Sequence, residues 1–149
     1  MPDLRELYQQ VILDHNRNPR HRGRIGDPSH SAEGNNPLCG DRITVFLKVE
    51  DGIIRDIGFE GSGCAISTAS ASLMTAAVIG KSTDDAARLF EAFHAMVVDP
   101  ETPADPGALG KLAAFAGVRG FPARVKCANL PWHTLYAALK AETGHVTTE

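Results

Sequence analysis

The stretch from Phe59 to Lys81 constrains this chain most. An apolar, alternating run ends at Phe59, the backbone passes through Gly61-Ser62-Gly63, and small residues follow in Ala65-Ile66-Ser67-Thr68-Ala69-Ser70-Ala71-Ser72. A strand must therefore turn through glycines into a closely packed helix. Cys64 stands where that helix begins. Unpaired N–H groups and the positive end of the helix dipole favour an anionic side chain there, and the thiolate is the form that binds metals and attacks sulfur. A structural cysteine beside a tight turn is the plainer reading, so the weight falls on the company of Cys39 and Cys127.

The rest of the chain supplies the frame. Asp3 and Glu6 form a capping box for a helix with Leu4, Leu7, Tyr8, Val11 and Ile12 on one face, ending near His15 because Asn18-Pro19 disfavours its continuation. A basic stretch follows, with Arg17, Arg20, Arg22 and Arg24 beside His15 and His21; it reads as a solvated loop or as a docking surface for an acidic protein. A short strand fits Ser31 to Asn36. Ile43, Val45, Leu47 and Val49 alternate along a half-buried strand, Asp51-Gly52 marks a hairpin, and Ile53, Ile57 and Phe59 line the returning strand. The start of one hairpin strand lies beside the end of the next, which carries Cys39 and Asp41 back towards Cys64.

After the helix from Cys64 to Ile79, Ser82-Thr83-Asp84-Asp85 caps another with Ala86, Leu89, Phe90, Phe93 and Val97 inward; His94 lies next to that stripe as a surface or half-buried residue. Asp99 to Pro106 reads as a loop and Gly107 to Ala116 as a short helix. Pro131 fits a first helical turn, with Trp132, Leu135, Tyr136 and Leu139 at helical spacing behind it, so Cys127 is expected at or just before a helix start.

Composition closes several classes. A net charge of −3 and a pI near 6.0 give no general field for nucleic acid or an anionic membrane, and no apolar run spans a bilayer. The first residues lack a signal-peptide layout, and three cysteines cannot all pair, which points to a reducing, cytoplasmic setting with thiols as ligands or nucleophiles. No Cys-x-x-Cys pair suggests a disulfide oxidoreductase, and the glycines before Cys64 lack the Gly-Lys-Ser/Thr ending of a nucleotide loop. Three thiolates suit Zn²⁺ or an iron–sulfur species, and Asp41, two residues from Cys39 on the same side of a strand mouth, is the candidate fourth ligand. Lys126 and Arg124 would balance so anionic a set.

Asn36-Pro37-Leu38-Cys39-Gly40-Asp41, Gly61-Ser62-Gly63-Cys64 with its Ser/Ala helix, and Arg124-Val125-Lys126-Cys127-Ala128 followed by Leu130 and Trp132 resemble the IscU/NifU-like iron–sulfur assembly proteins, specifically the SufU branch. The resemblance extends to Tyr8, Asp14-His15, Arg17-Asn18-Pro19-Arg20 and Gly23. IscU usually carries histidine where Lys126 stands and lacks a segment like Asp99 to Arg119; both departures match SufU. The resemblance implies one domain over 1–149 with a family insertion at about 99–119. The implied fold is α+β, IscU/SufE-like, with a small antiparallel sheet of about three strands and helices packed on one face. It implies Zn²⁺ held by Cys39, Asp41, Cys64 and Cys127, and a sulfurtransferase role in which Cys39 accepts persulfide sulfur from a PLP-dependent cysteine desulfurase of the SufS type, activating it. In that family picture a desulfurase histidine takes over one zinc position and frees Cys39; Arg124 and Lys126 are accessory. Downstream partners would be iron–sulfur scaffolds or apo-acceptors, with no nucleic acid and no membrane. The alternatives are a scaffold for a transient [2Fe–2S] cluster and, in another class, a non-catalytic binding module with a structural zinc.

Overall fold

The computed structural model describes residues 4–37, 40–99, 101–102, 109–119, 121–140 and 145–147; for 4–8 and 145–147 the backbone alone is described. The capping residue Asp3 and most of the 99–106 loop lie outside these ranges. Helix α1 (Leu4–Arg17) runs one half-turn beyond the predicted end at His15 and stops before Asn18-Pro19. His15 is buried, its Nδ1 2.7 Å from Ser72 Oγ, so the helix is held by a polar contact as well as by its apolar face.

Three antiparallel strands follow: β1 (His30–Asn36), β2 (Asp41–Glu50) and β3 (Ile53–Ser62). The β2–β3 turn has φ of 54° at Asp51 and 74° at Gly52, the two left-handed residues that the twist of a tight hairpin demands. Val45 faces Phe59 and Leu47 faces Ile57, as alternation predicts. Beyond them the register slips: Lys48 pairs with Asp56 but Val49 with Ile54, leaving Arg55 as an extra residue. That bulge corrects the expected face, because Ile54 rather than Ile53 becomes the buried partner of Ile57 and Phe59. A fourth, short strand, β4 (His145–Thr147), joins β1 in parallel, an edge that no local pattern in the sequence signals.

The helices lie on the face of Ile43, Val45 and Leu47. Helix α2 (Ala65–Val78) begins from Cys64 as its N-cap, and α3 (Thr83–Val98) from Ser82, whose hydroxyl accepts the Asp85 N–H. The expected short helix is a 3-10 segment over Gly110–Val118. Phe93 of α3 stacks on Trp132 with centroids 4.9 Å apart and meets Phe115 edge-on at 5.6 Å, all three fully buried. Each such side chain contributes about 1.5–3 kcal/mol by leaving water. The opposite sheet face carries Phe46 under the Arg24 guanidinium, 5.1 Å from its centroid, and the backbone at Gly23 runs so close over Gly58 that a Cβ there would meet the Gly23 oxygen.

The last helix corrects the sequence reading. Helix α4 spans Pro122–Leu139, so the proline of its first turn is Pro122, and Pro131 sits inside it. Pro131 has no N–H for the carbonyl of Cys127, four residues back, and the buried packing of Leu130, Trp132 and Leu135 carries the helix past that defect. Cys127 is therefore in the second turn of α4, buried at 2% exposure, and not at a helix start.

Candidate metal centre

Local structure brings three donors to one end of the sheet. Asn36 and Asp41 are Cα partners where β1 and β2 join, and Arg42 pairs with Ser62 where β3 leaves. The carboxylate of Asp41 therefore points at the turn into α2, where its Oδ1 accepts the Cys64 N–H at 2.8 Å. Two glycines make this approach geometrically feasible. Gly61 has φ of +143° and lies so close to β2 that a Cβ would fall 2.1 Å from the Arg42 oxygen. At Gly63 a Cβ would fall 2.8 Å from Asp41 Oδ1, displacing the carboxylate.

Cys64 Sγ lies 3.9 Å from Asp41 Oδ2 and accepts the Ser67 N–H at 3.5 Å, so the thiol caps α2 in the way its sequence position predicts. Cys127 enters from α4, and its Sγ accepts from Asn36 Nδ2 at 3.7 Å. One ligand atom each from Asp41, Cys64 and Cys127 lies within 4.8 Å of the others. Neither Cys64 nor Cys127 is in a disulfide. Cys39 lies outside the described residues; its chain neighbours Asn36 and Asp41 on either side are both at this site.

The donor set fits a cation. Asp41 is completely buried, yet among the described residues no ion pair reaches it. A buried carboxylate without a countercharge is costly, and a bound metal would supply that charge. Two sulfurs and one oxygen suit zinc, whose ligand atoms in tetrahedral geometry sit about 3.5–3.8 Å apart. Of the predicted cations, Arg124 is exposed with its guanidinium 4.7 Å over the Phe121 ring, and Lys126 is half-buried. Asn36, placed by the sequence only at a strand end and in the family motif, is fully buried and touches a thiol. The usable signal was its place directly before the proline of a Cys-Gly-Asp loop.

An α+β fold that gathers a buried acid and thiols at the mouth of a hairpin defines a small class of proteins. The chain belongs to the family described as NifU-like N terminal domain, which matches residues 7–128. It is 44% identical over 148 residues to the iron–sulfur cluster assembly scaffold protein IscU of Streptococcus pyogenes serotype M1, covering 98% of this chain and 92% of that one. It is also 44% identical over 142 residues to the zinc-dependent sulfurtransferase SufU of Bacillus subtilis, covering 95% of each. Among solved structures, the N-terminal part of a nitrogen-fixing NifU-like protein from Brucella abortus superposes with a TM-score of 0.83 at 29% identity, covering 91% of this chain and 94% of that one. No helix among the described residues is long and apolar enough to cross a membrane.

Proposed function

We propose that this protein is a zinc-dependent sulfur acceptor that takes persulfide sulfur from a PLP-dependent cysteine desulfurase of the SufS type and feeds iron–sulfur cluster assembly. The observation that carries this reading is the gathering of Asp41, Cys64 and Cys127 within 4.8 Å, in a chain so similar to a zinc-dependent sulfurtransferase. Cys39, Asp41, Cys64 and Cys127 are the proposed ligands. Zinc, when bound, would keep the thiols deprotonated and shielded until a partner docks. The chain's own residues do the remainder. Asp41 fixes the Cys64 backbone, and Asn36 orients Cys127. Cys39, on the short connection between Asn36 and Asp41, is the acceptor. Its thiolate attacks the outer sulfur of the desulfurase persulfide, the S–S bond breaks, and the electron pair leaves on the desulfurase cysteine as a thiolate. Cys39 then carries the persulfide with no net oxidation. Arg124 and Lys126 act as accessory cations beside the anionic site.

The test is transfer of labelled sulfur and stimulation of desulfurase turnover by the zinc-loaded protein. Cys39→Ala should reduce both by about tenfold or more. Equal transfer by that variant would overturn the assignment. The scaffold reading, in which a nascent cluster is cargo on the same residues, is favoured by the equal identity to the streptococcal scaffold protein. Anaerobic delivery of an intact cluster to an apo-acceptor would establish that reading in place of sulfur transfer.

A further inference from the structure

On the half of α2 distant from Cys64, α2, α3 and the 3-10 segment enclose an open groove of about 570 Å³. Its floor is aliphatic, with Leu73 and Leu112 buried and Leu89 half-buried. Among the described residues, every titratable side chain that lines it is basic: His15, Arg20, Lys81 and Lys111. This is a local feature, since the chain as a whole carries a net charge of −3. Arg20 is engaged with Asp14 at 2.7 Å, whereas Lys81 and Lys111 form no ion pair among the described residues. The groove is also separate from the thiols, because Ala76 on its edge is twelve residues along α2 from Cys64, roughly 18 Å at the helical rise.

The placement of the charges defines the ligand. His15 meets α2 at Ser72, and Lys111 is near enough to act on His15, whose pKa is lowered by burial and then by Arg20 and Lys111. Lys81 stands three residues past the end of α2 at Val78, in the turn where its N–H donates to the Val78 carbonyl at 3.0 Å. An aliphatic floor with cations from separate elements at its rim matches an amphipathic helix of two to three turns, with leucine-type side chains on the floor and carboxylates near its ends. We propose that this groove is a docking site for an acidic, leucine-bearing helix of a partner protein, held by the aliphatic floor between α2, α3 and the 3-10 segment and by the separated lysines Lys81 and Lys111. The surface is independent of the sulfur-transfer reading and would serve a partner bound while the thiol site is occupied.

The probe is a synthetic helical peptide of about fifteen residues, with leucines at i, i+3, i+4 and i+7 and glutamates near both ends, titrated into the full-length ¹⁵N-labelled protein. Its twin carries lysine at each glutamate. The acidic peptide should shift the amides of Leu73, Ala76, Leu89 and Leu112 and leave the amides of Cys64 and Ser67 unmoved. The double variant Lys81→Glu, Lys111→Glu should bind it about tenfold more weakly, and Ala76→Arg should block it sterically. Lys81, Ala76 and Lys111 are exposed, so the variants should keep the native circular dichroism. Equal binding of the lysine twin, shifts centred elsewhere, or unaltered affinity in the double variant would overturn the proposal. Preferential binding of decanoate would overturn it in favour of a small amphiphile, and concentration-dependent shifts of the same amides without peptide would overturn it in favour of a second copy of the chain.

Discussion

Two regions beside α2 are built on opposite principles. At its start, Asp41, Cys64 and Cys127 are polar groups from three distant parts of the chain, held by backbone hydrogen bonds and by glycines too close to their neighbours to bear a side chain. In the helical layer, Phe93, Phe115 and Trp132 interlock with no charged partner among the described residues. The aromatic region stabilises the fold by excluding water. The thiol end leaves a buried carboxylate whose countercharge the described residues do not provide, and so has stability to gain from a cation. Fold and function are thus carried by separate regions, and substitutions should separate them.

The largest loss of stability should come from the aromatic side. Phe93→Ala removes the ring between Trp132 and Phe115 and should cost about 3–5 kcal/mol in denaturant unfolding. Zinc stoichiometry of the refolded variant should be unchanged. Loss of metal from a protein that still unfolds cooperatively would show that the two regions are not separable.

Gly61→Ala strikes the boundary between them. The positive φ alone should cost roughly 1–3 kcal/mol, and the clash with the Arg42 oxygen must push β3 away from β2 just before Cys64. This variant should lose both stability and metal, read by unfolding and by zinc content. Retention of full metal affinity would mean that the strand end does not position the donors.

Asp41→Asn should do nearly the reverse. The amide oxygen still accepts the Cys64 N–H, so metal-free stability should change by only about 1 kcal/mol. Zinc affinity should fall by at least about tenfold, and the stabilisation of about 2.7 kcal/mol expected at a hundredfold excess of zinc over its dissociation constant should fall to about 1.4 kcal/mol or less at the same concentration. A variant that is stabilised by zinc as strongly as the parent would remove Asp41 from the proposed ligand set.

The same contrast governs how much could be read from the sequence. The hairpin turn at Asp51-Gly52, the cap at Cys64 and the inward face of α3 follow from local periodicity and turn residues. The meeting of Asp41 with Cys64 followed from antiparallel geometry alone. Cys127 was misplaced because Pro131 looked like a helix start, whereas buried neighbours on both sides overrode the proline and the true first-turn proline lay nine residues earlier. The bulge at Arg55 and the contact of Asn36 with Cys127 depend on pairings between distant strands and helices, which no local period encodes.

The smallest effect tests whether the helical side is as free of electrostatics as its apolar centre suggests. His133 on α4 sits half-buried against His94 and Phe90, with ring centroids at 5.3 and 5.2 Å, while Tyr136 stacks on Phe90 with Lys140 over its outer ring face. Burial first, and then the charge of His94, lower the His133 pKa below 6.5. His15 is lowered in the same direction. A histidine with a depressed folded pKa takes up its proton more readily in the unfolded chain. Its contribution to stability is therefore complete above pH 6.5, declines as pH falls below that value, and levels off once the folded pKa has been passed. Asp14 and Asp99 are lowered from 3.8, so their windows lie further into acid and do not overlap this one. Denaturant unfolding of the metal-free protein at pH 7.5, 6.5 and 5.5 should show falling stability, and His133→Gln should flatten part of that slope, leaving the share that belongs to His15. An unchanged slope in His133→Gln would place the proton uptake elsewhere and leave the aromatic seam electrostatically silent.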